Sequence, residues 1–542
     1  ILANHTGSPT DKHVKSTKHE KSIEVRESSE AKRKKQKTLE SSFQSKSIAS
    51  VEREEICEEW IKVCTAINLP LAAVDNPVLR SFLKERVCNG GAIPGSHQLS
   101  ERYLPVVYAS EKENLKKLLA VIFDEMPDAE EHCVLNILAA PLVPDTEGKV
   151  KSYMLNSVFL DKCNKSTVSI AVTNTLQEFN IQNENTVVFN TDNAAYMVAA
   201  YNTALKVSFP NVLHITCMAH IMNLVGESFW KPVKQLNDLM LHFSHMFYMA
   251  GSRKRRYLHF MHSKLQGTGK QATMAPKPVS TRWNSWYRAV QYHQQHFDFY
   301  QEFIEQEIMH CGKSAPNSVQ SLNTILSDDT GRISLRVQIN LVSAKCEIIV
   351  NTLDFFQSDT PVTLKAYDRL EELAIHFCCN GAKDMNMTTK LDIVKTCSSA
   401  YEDAGGKLEK YLSGAQPGIT FLKEIRIFNP ARVSLLTSEK AAYSNILNFS
   451  TIPDTDSEFM SYVTIYGPDA VKNSACNLLW SSMVDKMPKF SQVAKSLMYN
   501  LSNSANVERL NSMYKMILSS RRRRLAETTI KQLFFLHYNQ KL

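Results

Sequence analysis

The sequence lacks paired cysteines, long apolar runs and an initiator methionine. These absences bear on the location of the protein, on whether it spans a membrane and on whether the chain is part of a longer protein. Its twelve cysteines are scattered without a CxxC pair. No apolar run of the roughly 18 residues needed to span a membrane and no signal peptide is present. We therefore expect an intracellular protein with reduced thiols and no membrane-spanning segment. Because the chain opens at Ile1 rather than Met, we expect it to be part of a longer protein.

The composition is that of a globular protein with an uneven charge. Of 542 residues, 43% are hydrophobic and 22% are charged, which leaves ample material for a core. This length predicts two or three cooperating units. The formal net charge is +8, and residues 1–50 carry eleven Lys and Arg against six Asp and Glu. Such a basic tail favours DNA as the partner and gives no reason to expect a small-molecule substrate.

The tail contains two groups of candidate binding residues. His13 and His19 are separated by five residues, a spacing that fits the histidine half of a zinc finger. No cysteine precedes them, so a truncated finger and a plain basic tail are equal alternatives, and zinc is expected only if residues before Ile1 complete the site. The second group is a nuclear-import signal, a phosphate-binding run or a solvated charge cluster. Its residues are Lys32, Arg33, Lys34 and Lys35.

Apolar periodicity changes along the chain and predicts its organisation. After a largely disordered tail the pattern becomes helical, with Ile56, Trp60, Val63 and Ile67 predicted to form one apolar face. A strand-rich α/β region follows, then a long helical region without a repeat. The predicted units are a basic tail, a helical DNA-binding or linker module, an α/β core, a helical region and a carboxyl-terminal segment, at residues 1–50, 51–117, 118–230, 231–495 and 496–542.

The α/β region places two acids at strand ends. Its elements are predicted in the order βββαβαβ, with Asp124 ending the first apolar run and Asp192 following the fourth. This order is typical of a ribonuclease-H-like sheet, in which the first and fourth strands are neighbours. We therefore expect the two carboxylates to converge at the edge where open sheets bind ligands. Each Asp alone would more often be a turn or a helix cap, but the pair favours a site.

Three further places carry candidate residues. Cys217 and His220 begin the helix after the fifth strand. Arg282 beside Trp283 either contacts a base and a phosphate or belongs to a helix start with an aromatic core anchor, and both alternatives stay open. Glu508 falls in the first turn of a later helix. An apolar face near the carboxyl terminus is predicted to pack on the core or on a second subunit, and comprises Leu525, Ile530, Leu533, Phe534 and Tyr538.

Several motifs in succession resemble those of hAT-superfamily transposases. They are TDNAAYM, HITCMAH, STRWNSW, SANVERLNSMYK and RRRRLAETTIKQLFFLHYN, and the resemblance extends over about residues 51–542. The amino-terminal DKHVKSTKH and KKQKTLESSF resemble the end of the zinc finger in the CGG-triplet-repeat-binding-protein group of hAT-derived proteins. The sequence departs from the family at Asn511, where an aromatic residue is usual, and in lacking the finger's cysteines.

The resemblance implies an α/β fold, with a ribonuclease-H-like core, a long all-α insertion and helical flanking segments. It implies that Asp124, Asp192 and Glu508 are the catalytic acids and bind Mg²⁺ or Mn²⁺. Two such ions can stabilise both the attacking and the leaving oxygen of a phosphodiester. Cys217 and His220 match a CxxH pair, expected to position a helix or flanking DNA rather than bind zinc. The carboxyl-terminal helix matches a dimerisation segment, so a homodimer or higher oligomer is expected.

The sequence thus predicts a nuclear, transposon-derived DNA-binding protein that resembles a metal-dependent strand-cleaving and strand-transferring transposase. The alternative is a domesticated DNA-binding or transcription-regulating protein that keeps the fold and has lost transposition. An intact set of three acids favours the first, and the missing finger cysteines favour the second. A purely structural dimerisation module is a third possibility, which the basic segments disfavour.

Overall fold

The computed structural model describes most of the chain, which forms two compact units. The first ends at Ser110 and the second begins at Glu111, a few residues before the boundary predicted at 117. The described residues are 39–87, 90–112, 119–127, 133–145, 147–278, 283–358, 360–384, 392–446, 449, 455–466, 476–500, 504–507, 509–510, 513 and 526–540.

The first unit consists of helices joined by short turns. Asn76 caps its second helix by accepting hydrogen bonds from the backbone N–H groups of Val78 and Leu79, and Pro77 takes the first helical position. The bounds are α1 Leu39–Ala66, α2 Pro77–Arg86 and α3 Leu104–Lys112, with 3₁₀ turns at Leu71–Asp75 and Gly90–Ala92 and a π-turn at Leu99–Tyr103.

The buried face of α1 differs from the predicted one. Cys57, Ile61 and Cys64 are fully buried, whereas Val63 and Ile67 are exposed. The i, i+4, i+7 spacing was therefore identified correctly, but the predicted face of the helix was wrong. The core of this unit is completed by Leu71, Val74, Leu83, Ile93, Leu99, Tyr103 and Leu104.

The second unit is built around a mixed sheet. Among the described residues, five strands are arranged in the order β3-β2-β1-β4-β5. The first three pair antiparallel, and β1, β4 and β5 pair parallel. The predicted succession βββαβαβ is found in the structure. The bounds are β1 Leu119–Pro127, β2 Cys133–Pro141, β3 Tyr153–Leu160, α4 Lys165–Glu178, β4 Thr186–Thr191, α5 Ala195–Ala200 and β5 Leu213–Thr216.

The central strands are buried on both faces. Residues 119–123 of β1 are fully buried, as are residues 134–140 of β2. Phe123 of β1 meets Phe189 of β4 edge to face, with ring centroids 5.8 Å apart. Near-continuous burial of this kind requires elements on both sides of the sheet. On one side α4, which begins at the cap residue Asn164, packs against β2 and β3.

A long helical region separates β5 from the carboxyl-terminal segment. Its helices are α6 Met218–Trp230, α7 Lys234–Met246, α8 Gly251–Leu265, α9 Trp283–His296, α10 Tyr300–Cys311, α11 Asn317–Ser327, α12 Asp329–Lys345, α13 Glu347–Phe356, α14 Thr363–Asp384, α15 Asp392–Leu412, α16 Ile419–Glu424, α17 Thr455–Tyr466, α18 Cys476–Ser482 and α19 Pro488–Met498. Aromatic contacts pack helices of this region against one another, since Phe229 of α6 meets Tyr401 of α15 edge to face at 5.0 Å.

The last helix, α20 (Glu527–Gln540), lies along the edge strand β3. The Asn539 side chain accepts a hydrogen bond from the Met154 N–H (2.8 Å) and donates one to the Met154 carbonyl (3.0 Å). The Tyr538 hydroxyl bonds Ser152 Oγ at 2.9 Å. Of the predicted apolar face, Phe534 and Tyr538 are therefore buried within the same chain. Because α20 occupies backbone groups that an edge strand leaves open, it protects the sheet from pairing with another chain.

No helix in the described ranges combines the length and the apolar character needed to cross a bilayer.

Candidate functional site

Asp124 and Asp192 lie on neighbouring parallel strands at the carboxyl edge of the sheet. The register pairs Ile122 of β1 with Asn190 of β4. Each acid is two positions beyond its member of that pair, so the backbone brings the two acids to the same edge. Asp192 follows the last residue of β4, as predicted, and its Oδ1 accepts a hydrogen bond from the Ala194 N–H at 3.1 Å. Asp124 lies inside β1, which continues to Pro127.

The Asp192 carboxylate is in an environment that disfavours its charge. Burial raises its pKa, and the nearby Glu125 adds to that effect. The Ala194 N–H and His220 act in the opposite direction. Glu125 is therefore an acid, among the described side chains, whose negative charge raises the pKa of Asp192. Sequence analysis missed Glu125 because the first apolar run was taken to end at Asp124, whereas β1 continues to Pro127.

Glu125 is held by a tyrosine from the helix that follows Asp192. The Tyr196 hydroxyl donates to Glu125 Oε2 at 2.6 Å. Burial raises the pKa of Tyr196, as does that hydrogen bond, so the phenol remains a donor at neutral pH. Burial also raises the pKa of Cys163, whose thiol bonds Glu125 as well. These contacts join the end of β1 to the start of α5 and fix two acids beside one another.

Hydrogen bonds from buried polar side chains hold the backbone in place at the end of β4. Thr191 Oγ1 donates to the Asp192 carbonyl at 2.7 Å and bonds His214 Nε2 of β5 at 2.9 Å. Burial lowers the pKa of His214 to about 4, so the imidazole is neutral at physiological pH. Since the Thr191 hydroxyl donates to the carbonyl, it accepts from Nε2–H, which identifies the tautomer of His214.

Cys217 connects three segments of the chain at this edge. Its N–H donates to the Thr191 carbonyl at 2.7 Å, and its Sγ accepts from the His220 N–H at the start of α6. Sγ also accepts from the Ser504 N–H at 3.2 Å. Cys217 is fully buried, and its thiol caps the amino terminus of α6.

The contact with Ser504 brings the segment of the third predicted acid to the edge of the sheet. Residues 504–507 enter a helical turn beside Cys217, and Val507 is fully buried. Glu508 itself lies outside the described residues, so its convergence with Asp192 stays a prediction. The other predicted site residues outside the described part are His13, His19, Lys32, Arg33, Lys34, Lys35 and Arg282. Within the described part, no group of three or more His, Cys, Asp and Glu side chains is arranged to hold a metal ion.

A loop returning from the helical region covers the same edge. Gln416 Nε2 donates to Asn193 Oδ1 at 2.9 Å and to Thr216 Oγ1 at 2.6 Å. Two residues later, Gly418 adopts φ +79°, and a Cβ there would stand 2.9 Å from Ile215 Cγ1 and 3.0 Å from the His214 carbonyl. Only glycine allows both this backbone conformation and this approach. Nothing in the local sequence indicates the contact, because 223 positions separate Gln416 from Asn193.

Trp283 is part of the core rather than of a surface. Its side chain is 3% exposed, and its ring stacks on Tyr287 with centroids 5.6 Å apart. The ring lies so close to Gly226 of α6 that a Cβ there would be 2.5 Å from it. In this conformation the Trp283 indole cannot contact a base. The structure agrees with the alternative in which Trp283 is an aromatic core anchor at the start of a helix.

Comparison with known proteins places the chain in a family. The family described as CGGBP1 helical domain matches residues 47–106, in the first unit. CGG triplet repeat-binding protein 1 of Homo sapiens is 38% identical over 116 residues, which cover 21% of this chain and 69% of that protein. The Mus musculus protein of the same name matches with the same identity and coverage. This chain belongs to the family of CGG triplet repeat-binding protein 1.

Proposed function

We propose that this is a nuclear DNA-binding protein derived from an hAT transposase. The main support for DNA binding is family membership, because the relatives are named for binding CGG triplet repeats. The basic character of residues 1–50 supports it, since Lys and Arg side chains release counterions when they neutralise phosphates. A nuclear location follows from that partner.

The second unit is proposed to be a ribonuclease-H-like core. The strand order and the mixed pairing of its sheet support this assignment, as does the position of Asp192 at the carboxyl edge. The long helical region between β5 and Ser504 is proposed to be the insertion, because it begins after β5 and contacts the same edge again at Gln416 and at Ser504. The further proposal of an hAT origin rests on the succession of motifs in the sequence.

The carboxylate groups of the predicted acids are chemically suitable ligands for a divalent cation. Mg²⁺ prefers hard oxygen ligands, and the pKa of Asp192 is raised first by burial and then by the charge of Glu125, so a bound cation would favour the ionised carboxylate. Asp124, Asp192 and Glu508 would hold Mg²⁺ or Mn²⁺ as a catalytic set. Bound there, two ions would stabilise charge on the attacking and leaving oxygens of a DNA phosphodiester.

A second candidate function is DNA binding or transcriptional regulation without strand cleavage. It is favoured by the match to the helical first unit, which is separate from the acids of the second. Both candidates keep the DNA partner and differ only in whether the acids act. In either case a homodimer or higher oligomer is proposed from the motif resemblance, and zinc only where residues before His13 complete a finger.

A binding titration tests the shared part of the proposal. Fluorescence anisotropy of the chain with a labelled CGG-repeat duplex should show binding that weakens steeply between 50 and 200 mM salt. A shuffled duplex of equal length and composition measures non-specific affinity. Specific recognition typically exceeds non-specific binding by about 10³-fold or more. Absence of binding to either duplex at low salt would refute DNA binding, and equal affinity would refute repeat recognition.

A nicking assay separates the two candidates. Wild type and Asp192→Asn are compared on a supercoiled plasmid with Mg²⁺, with Mn²⁺ and with EDTA. The transposase proposal expects metal-dependent nicking that Asp192→Asn lowers by orders of magnitude, because the cation loses a central ligand. DNA binding without nicking by wild type supports the regulatory candidate. Equal nicking by both proteins would remove Asp192 from the mechanism.

A further inference from the structure

The turn between α7 and α8 presents two large side chains to solvent. Tyr248 is 74% exposed and Met249 is 88% exposed. Met249 adopts φ +50°, a left-handed conformation that is uncommon for a residue with a Cβ. Arg253 fixes the turn by donating to the Met246 carbonyl at 2.6 Å and to Glu307 Oε2 at 2.9 Å. An exposed aromatic side chain on a fixed, strained turn is a feature that binding sites often carry.

Tyr248 and Met249 form one rim of a groove of about 510 Å³. Its floor is aromatic and is provided by Phe243 and Phe247 of the core. The opposite wall is the extended segment Met274–Pro278, which Tyr292 anchors by donating its hydroxyl hydrogen to the Thr273 carbonyl at 2.7 Å. Both walls are thus held in place before anything binds, so little ordering entropy is lost on binding.

The groove carries positive charge without acidic groups. Lys254 and Lys277 line it, and none of the described lining residues is Asp or Glu. The adjoining helix α8 contains five Lys and Arg and no acid. Arg253 and Arg256 are neutralised by the buried Glu307, and Lys264 pairs with Glu302. Lys254 and Arg255 are left exposed, with no salt bridge to the described part of the chain.

We infer that this groove binds one base of an unpaired DNA strand, stacked on Tyr248, with the flanking phosphates at Lys254 and Lys277. The inference rests on the proposed DNA-binding function and names a site for it. A nucleobase supplies the flat apolar face that the tyrosine and the aromatic floor accept, and the phosphates match the two lysines. A base in a duplex has no free face for Tyr248. An acidic peptide would pair with the two lysines. It would not stack on the aromatic surface of the groove unless it also carried an aromatic residue.

The test uses the full chain and a fluorescein-labelled oligothymidylate of about 12 nucleotides. Tyr248→Ala should weaken binding about tenfold or more, since stacking on an aromatic side chain contributes about 1–3 kcal/mol per base. Tyr248→Phe should retain most of the affinity because it keeps the ring. Lys254→Gln with Lys277→Gln should lower the salt slope by about 1.4, or about 0.7 for each phosphate contact of a single strand. A duplex of the same length should be much less affected by all three changes.

Lys206→Gln with Val207→Ala is the matched control, because both side chains are exposed and neither lines the groove. It should leave the affinity for the oligonucleotide unchanged. Ultraviolet crosslinking of 5-iodouracil at one position, followed by peptide mapping, should place the crosslink at Tyr248.

Each contrary result has a distinct meaning. Unchanged single-strand affinity of Tyr248→Ala, or a crosslink elsewhere, would overturn the groove assignment while leaving DNA binding intact if the duplex still binds. Failure of wild type to bind duplex and single strand alike would overturn the proposed function together with this inference. Tyr248-dependent binding of a labelled peptide of alternating Glu and Phe, without binding of the oligonucleotide, would assign the groove to a protein partner instead.

Discussion

The buried carboxylate of Asp192 lowers the stability of the fold at neutral pH. Its pKa is raised above the ordinary value of 3.8, chiefly by burial. Such a group binds its proton more tightly in the folded than in the unfolded state, so stability falls as pH rises from 3.8 through the raised pKa. Asp192→Asn removes this dependence and keeps an Oδ1 that accepts the Ala194 N–H. We expect its Tm at pH 7 to equal or exceed that of wild type.

The pH dependence distinguishes this effect from a general change in packing. The advantage of Asp192→Asn should shrink as the pH is lowered towards 3.8, where wild type is protonated in both states. Asp161→Asn serves as a control, since Asp161 is exposed just beyond β3. Calorimetric scans between pH 4 and 8 measure both. A Tm of Asp192→Asn clearly below wild type at pH 7 would contradict the assignment of a destabilising charge.

Tyr196 contributes through its hydroxyl group. Tyr196→Phe removes the 2.6 Å hydrogen bond to Glu125 and keeps the ring. We expect unfolding in urea to show a loss of about 1 kcal/mol, because both side chains are only partly buried. In a double-mutant cycle with Glu125→Ala, which removes the acceptor, the effects of the two changes should not be additive. Strict additivity would mean that the contact does not couple the two residues.

At the scale of elements, the sheet could be predicted because its signals are local. The buried strands are rich in apolar and β-branched residues, with single polar positions such as Asn136 and Asn190. The predicted order of strands and helices is observed, and Asp192 follows the fourth strand as expected. The face of α1 could not be predicted, since two apolar stripes lie next to each other on that helix. Which stripe is buried depends on partners distant in sequence, so Cys57 and Ile61 are buried rather than Val63.

The loop that covers the carboxyl edge depends on Gly418. Gly418→Ala places a methyl group about 3 Å from Ile215 and from the His214 carbonyl, at φ +79°. We expect a loss of at least about 1–2 kcal/mol from the left-handed conformation alone, with steric strain in addition. Gly414→Ala is the matched control, because its Cβ would meet only Thr420 Oγ1 at 3.9 Å. Equal urea midpoints for the two variants would show that the loop does not approach β5.

The contact of α20 with the edge strand gives a second prediction at this scale. Asn539→Ala leaves both the N–H and the carbonyl of the buried Met154 without their side-chain partner. Each such group costs about 1–3 kcal/mol when unsatisfied, so we expect a total loss in that range or above. Asn202→Ala, at an exposed position, is the control. Hydrogen exchange at β3 should accelerate only in Asn539→Ala.

For the whole molecule, the site is assembled by contacts that the sequence does not reveal. Ser504 bonds Cys217 from 287 positions away, and Gln416 bonds Asn193 from 223. Motif succession pointed to the acids, but not to Glu125, Tyr196 or the covering loop. Glu125 and Tyr196 become neighbours through the pairing of β1 with β4, whereas the covering loop and Ser504 reach this edge because the helical region returns to the sheet twice. A single sequence carries no local signal for such returns, whereas the parallel pairing of β1 with β4 follows from the order of elements.

The basic tail provides the last prediction, which concerns DNA binding by the whole chain. Neutralising the run 32–35 to Gln should weaken duplex binding and reduce the slope of log K against log salt by up to about 3.6, because each of four phosphate contacts would contribute about 0.9. The control replaces four scattered, exposed lysines by Gln, at positions 162, 206, 410 and 486. It removes the same charge without removing a cluster, so its slope should change less. Equal changes in the two variants would mean that the run acts only through net charge, and an unchanged slope in the first would mean that it does not contact DNA.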